Sequence, residues 1–196
     1  MNFNTVFKFR DIEYFIIKGN NIIFLIKPGL DGSIFGYHNK YLNLANYINN
    51  KYGYTVVCTN NPIESKKDQI EDAICIIKQY CIEMNFINYE VYYYGNSNGG
   101  YQGSIYGYKY PKIKKMILIN PPLMININKI VDGSNNFNGE KIVFVFGEYD
   151  QSIKYISILD LVKNEKMKYY VIEGENHNLS NNKCTLEKLV DDYLLQ

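Results

Sequence analysis

Two apolar runs constrain this chain more than any other feature, because they do not alternate: Met116 to Ile119 and Ile142 to Phe146 contain no polar residue. A strand with one wet face reads hydrophobic and polar in turn. A strand without that alternation is covered on both faces, the situation of a parallel sheet between two layers of helix. What surrounds these runs decides whether such a sheet is present.

Strand and helix patterns do alternate along the chain. Val6 to Phe9, Tyr14 to Ile17 and Ile22 to Ile26 read as strands, with turn residues Lys18-Gly19-Asn20-Asn21 between the last two, so the chain starts antiparallel. Tyr41 to Asn50 places Leu42, Ala45 and Ile48 at helical spacing, and Tyr54 to Cys58 follows as a short buried strand. Asn61 reads as an N-cap, with Pro62 at the first helical position and Glu64 in the first turn. The helix beyond repeats Ile70, Ala73, Ile74, Ile77 and Cys81 on one face. Tyr89 to Tyr94 is the next strand, followed by a glycine-rich turn and a tyrosine-rich helix that Pro111 ends. The basic run Lys112-Ile113-Lys114-Lys115 reads as a solvated loop. Ile153 to Val162 reads as a helix, Tyr169 to Ile172 as the last strand, and Leu186, Leu189, Val190, Tyr193 and Leu194 as the apolar face of a closing helix. The order predicts an α/β fold: a doubly wound, mostly parallel sheet flanked by helices, with a short antiparallel edge.

A chain of 196 residues suits one domain over 1–196, and no proline-rich or glycine/serine-rich linker divides it. With 21 basic residues against 20 acidic ones, the phosphate neutralisation that nucleic-acid binding draws on has no visible source, so no nucleic-acid partner is expected. Cys58, Cys75, Cys81 and Cys184 lack metal-ligand spacing and are read as reduced, buried thiols, with no metal and no cofactor expected. No apolar run reaches the roughly 18 residues of a membrane span, and the N-terminus lacks signal-peptide order, so a cytoplasmic protein is expected.

Chemistry is concentrated where strands end. Gly95-Asn96-Ser97-Asn98-Gly99 fits G-x-S-x-G between a predicted strand and a predicted helix, the context of a nucleophile elbow. Its glycines let strand and helix approach closely, and the helix N-terminus faces a developing anion. A serine hydroxyl needs a base, usually a histidine oriented by a carboxylate. Asp150 follows the strand Ile142 to Phe146, and His177 follows Tyr169 to Ile172, both at the sheet edge where open α/β sheets bind ligands. Glu148 is the rival acid, nearer its strand, and His38 reads as a helix-start or loop residue. An oxyanion requires two N–H donors. Asn98, after the nucleophile, is one. The loop Lys27 to Ser33 supplies the other, taken as Leu30 with Asp31 as the alternative.

These residues resemble the α/β-hydrolase superfamily through Pro28-Gly29-Leu30-Asp31-Gly32, Gly95-Asn96-Ser97-Asn98-Gly99-Gly100, Gly147-Glu148-Tyr149-Asp150 and Gly174-Glu175-Asn176-His177. The resemblance implies an eight-stranded sheet and two-step acyl transfer, with Ser97 as nucleophile, His177 as base and then acid, and Asp150 orienting the imidazole. Many members carry His-Gly where this chain has Pro28-Gly29, which leaves the support of that loop to be found, and Asp31 brings a carboxylate near a site meant for an anion. Members with a cap usually hold it where this chain has 121–140, a segment expected to be a short loop with no separate cap. Leu123, Met124, Ile125 and Ile127 are expected to line an acyl site or cover the core, with Tyr37, Tyr101 and Tyr149 nearby. The expectation is a serine esterase or thioesterase acting on a small-molecule acyl substrate. The alternatives are an acyltransferase using the same triad and a non-catalytic ligand-binding relative. The acyl group, leaving group and oligomeric state are not written in any of these motifs.

Overall fold

The computed structural model describes residues 5–63, 68–181 and 183–196. Its strands are β1 (Phe7–Phe9), β2 (Ile12–Ile17), β3 (Asn20–Lys27), β4 (Tyr54–Thr59), β5 (Glu90–Asn96), β6 (Ile113–Ile119), β7 (Lys141–Gly147) and β8 (Met167–Ile172). They form one eight-stranded sheet in the order β1-β2-β4-β3-β5-β6-β7-β8. The β1–β2 and β2–β4 pairings are antiparallel, and every pairing from β4 through β3 to β8 is parallel. The strand order reverses around β3, so the crevice between the C-terminal ends of β3 and β5 is the switch point at which such sheets bind ligands. Lys27 and Gly95 are register partners there.

The non-alternating runs are explained by what covers them. On β7, Ile142, Phe144 and Phe146 face one layer while Val143 and Val145 face the other, and all five are buried. The first layer contains α2 (Ile70–Glu83), α3 (Asn98–Tyr106) and α4 (Ile127–Asn135). The second contains α1 (Lys40–Tyr52) and α5 (Leu186–Leu189). Each fully buried Ile or Phe removed from water in this way stabilises the fold by about 1.5–3 kcal/mol. Among the described residues, no helix is long and apolar enough to cross a membrane.

Five local expectations are corrected by the structure. Asn61 caps no helix: α2 begins at Ile70, with Gln69 at its N-cap, and the Asn61 side chain is buried against another loop. Glu64 lies outside the described residues. The basic run is mostly strand, since β6 begins at Ile113, which is buried, and Lys115 lies over the Tyr92 ring at 5.0 Å. Residues 151–161 form consecutive 3-10 turns, matching the three-residue spacing of Ile153, Ile156 and Leu159 that pack toward the core. The closing helix is α5 followed by π-type turns over Val190–Leu195, still burying Leu189, Val190 and Leu194. The segment 121–140 holds α4, started by Asn126, whose side chain accepts from the Lys129 N–H, and packed so tightly on α3 that a Cβ on Gly133 would meet Ile105 Cα at 2.9 Å.

All four cysteines are free thiols. Cys58 and Cys81 are buried, whereas Cys75 and Cys184 are half-buried.

Candidate active site

Ser97 stands between β5 and α3 with φ 51° and ψ −114°, a strained conformation that surrounding contacts must enforce. Its N–H donates to Ile119 O at 2.7 Å, and its carbonyl accepts from Tyr101 N at 2.9 Å. The flanking glycines allow the crossing. A Cβ on Gly95 would lie 2.5 Å from Gly99 O, and one on Gly99 would lie 2.6 Å from Pro28 O and closer still to Lys27 O. The buried Tyr93 hydroxyl donates to Gly99 O at 2.6 Å and holds the turn from below.

The structure brings Asp150 and His177 to this serine. His177 Nε2 lies 3.1 Å from Ser97 Oγ, and Nδ1 forms a short hydrogen bond with Asp150 Oδ2. The Asp150 side chain is only 1% exposed, whereas that of His177 is 48% exposed. Burial alone pushes the Asp150 carboxyl up, but hydrogen bonds from His177 and the Ser152 N–H outweigh it and hold the group below its ordinary value. With the carboxylate ionised, the imidazole proton sits on Nδ1, leaving Nε2 free to accept the serine proton. Glu148 is engaged elsewhere, accepting from the Gly174 N–H at 2.8 Å. His38, in the left-handed region before α1, packs on Tyr37 and takes no part.

Two polar residues to which the sequence reading gave no role hold the histidine loop. Asn120, fully buried at the end of β6, donates from Nδ2 to His177 O at 2.7 Å and accepts on Oδ1 from Gly147 N at 2.8 Å. Glu175, also fully buried, accepts from the N–H groups of Asn181 and Lys183 at 3.1 and 2.6 Å. A polar residue directly after the apolar run Met116 to Ile119 was the available signal for Asn120.

The loop after β3 passes directly over Ser97: a Cβ on Gly29 would lie 3.5 Å from Ser97 Cβ. Asp31 N–H donates to Asn61 O at 2.8 Å and Gly32 N–H to Gly29 O at 3.0 Å. Asp31 is thus committed elsewhere. Leu30 and Asn98 N–H have no acceptor among the described residues. The Asp31 residue is exposed to solvent.

A cleft of about 500 Å³ opens beside this constellation, its walls including Met124, Tyr149, Gln151 and His177. Leu123 instead is fully buried in the core, Tyr37 is 80% exposed, and Tyr101 packs at the core edge. Ile125 and Ile127 are exposed outside the lining of this cleft. Among the described residues, no group of three or more His, Cys, Asp or Glu side chains could hold a metal ion.

No protein-family model and no curated protein matches this sequence. Solved structures do. Est1E from Butyrivibrio proteoclasticus superposes with a TM-score of 0.69 at 13% identity, covering 91% of this chain and 92% of that one. An alpha-beta serine hydrolase homologue from Coxiella burnetii gives 0.65 at 15% identity, covering 90% and 89%. Alpha/beta hydrolase domain-containing protein 10 from mouse gives 0.64 at 11% identity, covering 95% and 98%. The chain has the α/β-hydrolase fold.

Proposed function

We propose that this protein is a serine hydrolase that cleaves a carboxylic ester or thioester through an acyl-enzyme on Ser97. The observation that carries the reading is the continuous hydrogen-bonded path Ser97 Oγ, His177 Nε2, His177 Nδ1, Asp150 Oδ2. Along it, the hydroxyl proton passes to Nε2 as Oγ attacks the substrate carbonyl carbon. The imidazolium so formed is stabilised by the buried carboxylate of Asp150. The tetrahedral oxyanion is received by the Asn98 N–H, at the positive end of α3, and by the Leu30 N–H. Collapse breaks the bond to the leaving group, which takes the proton from His177. A water molecule, deprotonated by the same nitrogen, then attacks the acyl-enzyme and releases the acid with Ser97 restored.

Hydrolysis of p-nitrophenyl acetate and butyrate by wild type and Ser97→Ala tests the proposal, together with labelling by a fluorophosphonate. Wild type should turn over and be labelled at Ser97, and Ser97→Ala should fall by at least about a thousandfold, because triad members act as a unit. Equal rates for the two proteins would refute it.

A further inference from the structure

Asn61 is fully buried yet lies in no helix or strand, and its hydrogen bonds bracket a single dipeptide. Its side-chain Nδ2 donates to Pro28 O at 2.6 Å, and its backbone carbonyl accepts from Asp31 N at 2.8 Å. The residues between these two anchors are Gly29 and Leu30, the stretch that crosses Ser97. The Gly99 N–H also donates to Pro28 O, at 3.1 Å, so the nucleophile turn and Asn61 grip the same carbonyl. The strap that carries Asn61 is itself tied to the end of β3: Lys27 Nζ donates to Thr59 Oγ1 at 2.8 Å and to Asn60 O at 2.9 Å.

A free N–H stabilises an oxyanion only if it is already aimed, because reorganising a flexible loop during the reaction consumes the interaction. Leu30 lies on a glycine-bearing loop, is 54% exposed, and packs against neither core cluster. Among the described residues Asn61 Oδ1 has no partner, so the fold leaves a buried oxygen unpaired while keeping this donor in place.

The geometry points to Asn61 as a positioning residue that clamps Gly29-Leu30 from both ends and aims the Leu30 N–H at the oxyanion. This rests on the serine-hydrolase reading above. Asn61 touches no reacting atom. By fixing Pro28 O it sets the peptide plane before Gly29, and by accepting from Asp31 N it occupies the rival donor, leaving Leu30 as the one directed at the site.

The test compares an oxoester with the matching thionoester, whose C=S sulfur is a poor acceptor for an oxyanion-hole N–H. Wild type, Asn61→Ala and Asn61→Asp are assayed on both substrates at about pH 8. Asn61→Asp preserves size and the backbone bond to Asp31 while placing an acceptor against Pro28 O. Both variants should lose about tenfold in kcat on the oxoester with KM little changed, and lose little or nothing on the thionoester, so the oxoester-to-thionoester ratio of kcat/KM falls about tenfold. Both rates come from the same folded molecules, so a partly unfolded variant lowers them equally and leaves the ratio unmoved. Active wild type with an unchanged ratio in both variants overturns the role of Asn61 alone. Wild type that neither turns over nor is labelled at Ser97 overturns the hydrolase reading and this role with it.

Discussion

Replacing Lys27 by methionine (Lys27→Met) probes a fully buried ammonium beneath the candidate site. Lys27 is fully buried, and burial pushes its ammonium down to about 7, against a smaller upward pull from Cys58, Asp72 and Asp68. In the unfolded chain the same group titrates near 10.5. Between those values the unfolded state binds a proton that the folded state does not, so stability rises with pH. From about pH 7 to about pH 9 the gain from this one residue is about 2 kcal/mol. Below the folded value the full penalty applies, about 5 kcal/mol, and it fades as pH rises toward the unfolded value. Methionine removes the penalty but leaves Thr59 Oγ1 and Asn60 O without their donor, at about 1–3 kcal/mol each. The variant should therefore match wild type near pH 7 and fall about 2 kcal/mol below it near pH 9. With a urea m-value of about 2 kcal/mol/M, that is a midpoint gap of about 1 M opening across the range. Urea titrations of both proteins at intervals of half a pH unit would measure it. Midpoints that run parallel from pH 7 to pH 9 would show that the ammonium is not desolvated as this position requires.

Two further substitutions separate roles within the site. Asp150→Asn keeps the shape of the orienting group but favours the wrong imidazole tautomer, so kcat on p-nitrophenyl acetate should drop by about 10³ to 10⁴; a loss under tenfold would transfer the acid role to Glu148. Gly99→Ala drives a methyl group into the carbonyls of Lys27 and Pro28, which are backbone atoms and cannot swing aside. Its melting temperature and its turnover should fall together, and a fully stable, fully active Gly99→Ala would mean that the elbow and the β3 loop are not in contact.

What the sequence shows and what it conceals divide along a physical line. The apolar runs of β6 and β7, the spacing of α2 and the glycines around Ser97 are consequences of local backbone geometry, and each was readable from neighbouring residues alone. Asn61 was misread because Asn-Pro followed by an acidic residue satisfies the rules for starting a helix. A carbonyl 33 positions earlier in the chain takes its amide instead. Residues 151–161 were misread for a related reason: a stripe at every third residue is compatible with an α-helix, and only packing of Leu159 into the core selects the tighter turn.

The candidate triad was legible because the sheet converts order into position. Parallel pairing places the ends of β3, β5, β6, β7 and β8 side by side, with Lys27 opposite Gly95, Asn96 opposite Ile119, Ile119 opposite Val145 and Gly147 opposite Ile172. A residue just past any of these ends is delivered to one edge whatever its identity, so the Gly29-Leu30 loop, Ser97, Asp150 and His177 converge without any contact between them in sequence. The same logic assigns Asn120, which closes β6 midway along that row and joins the acid strand to the histidine loop. Every parallel strand end from β3 to β8 thus contributes to the candidate site or to its support, and β4 joins them through its outgoing segment, where Thr59, Asn60 and Asn61 hold Lys27 and the loop beyond it.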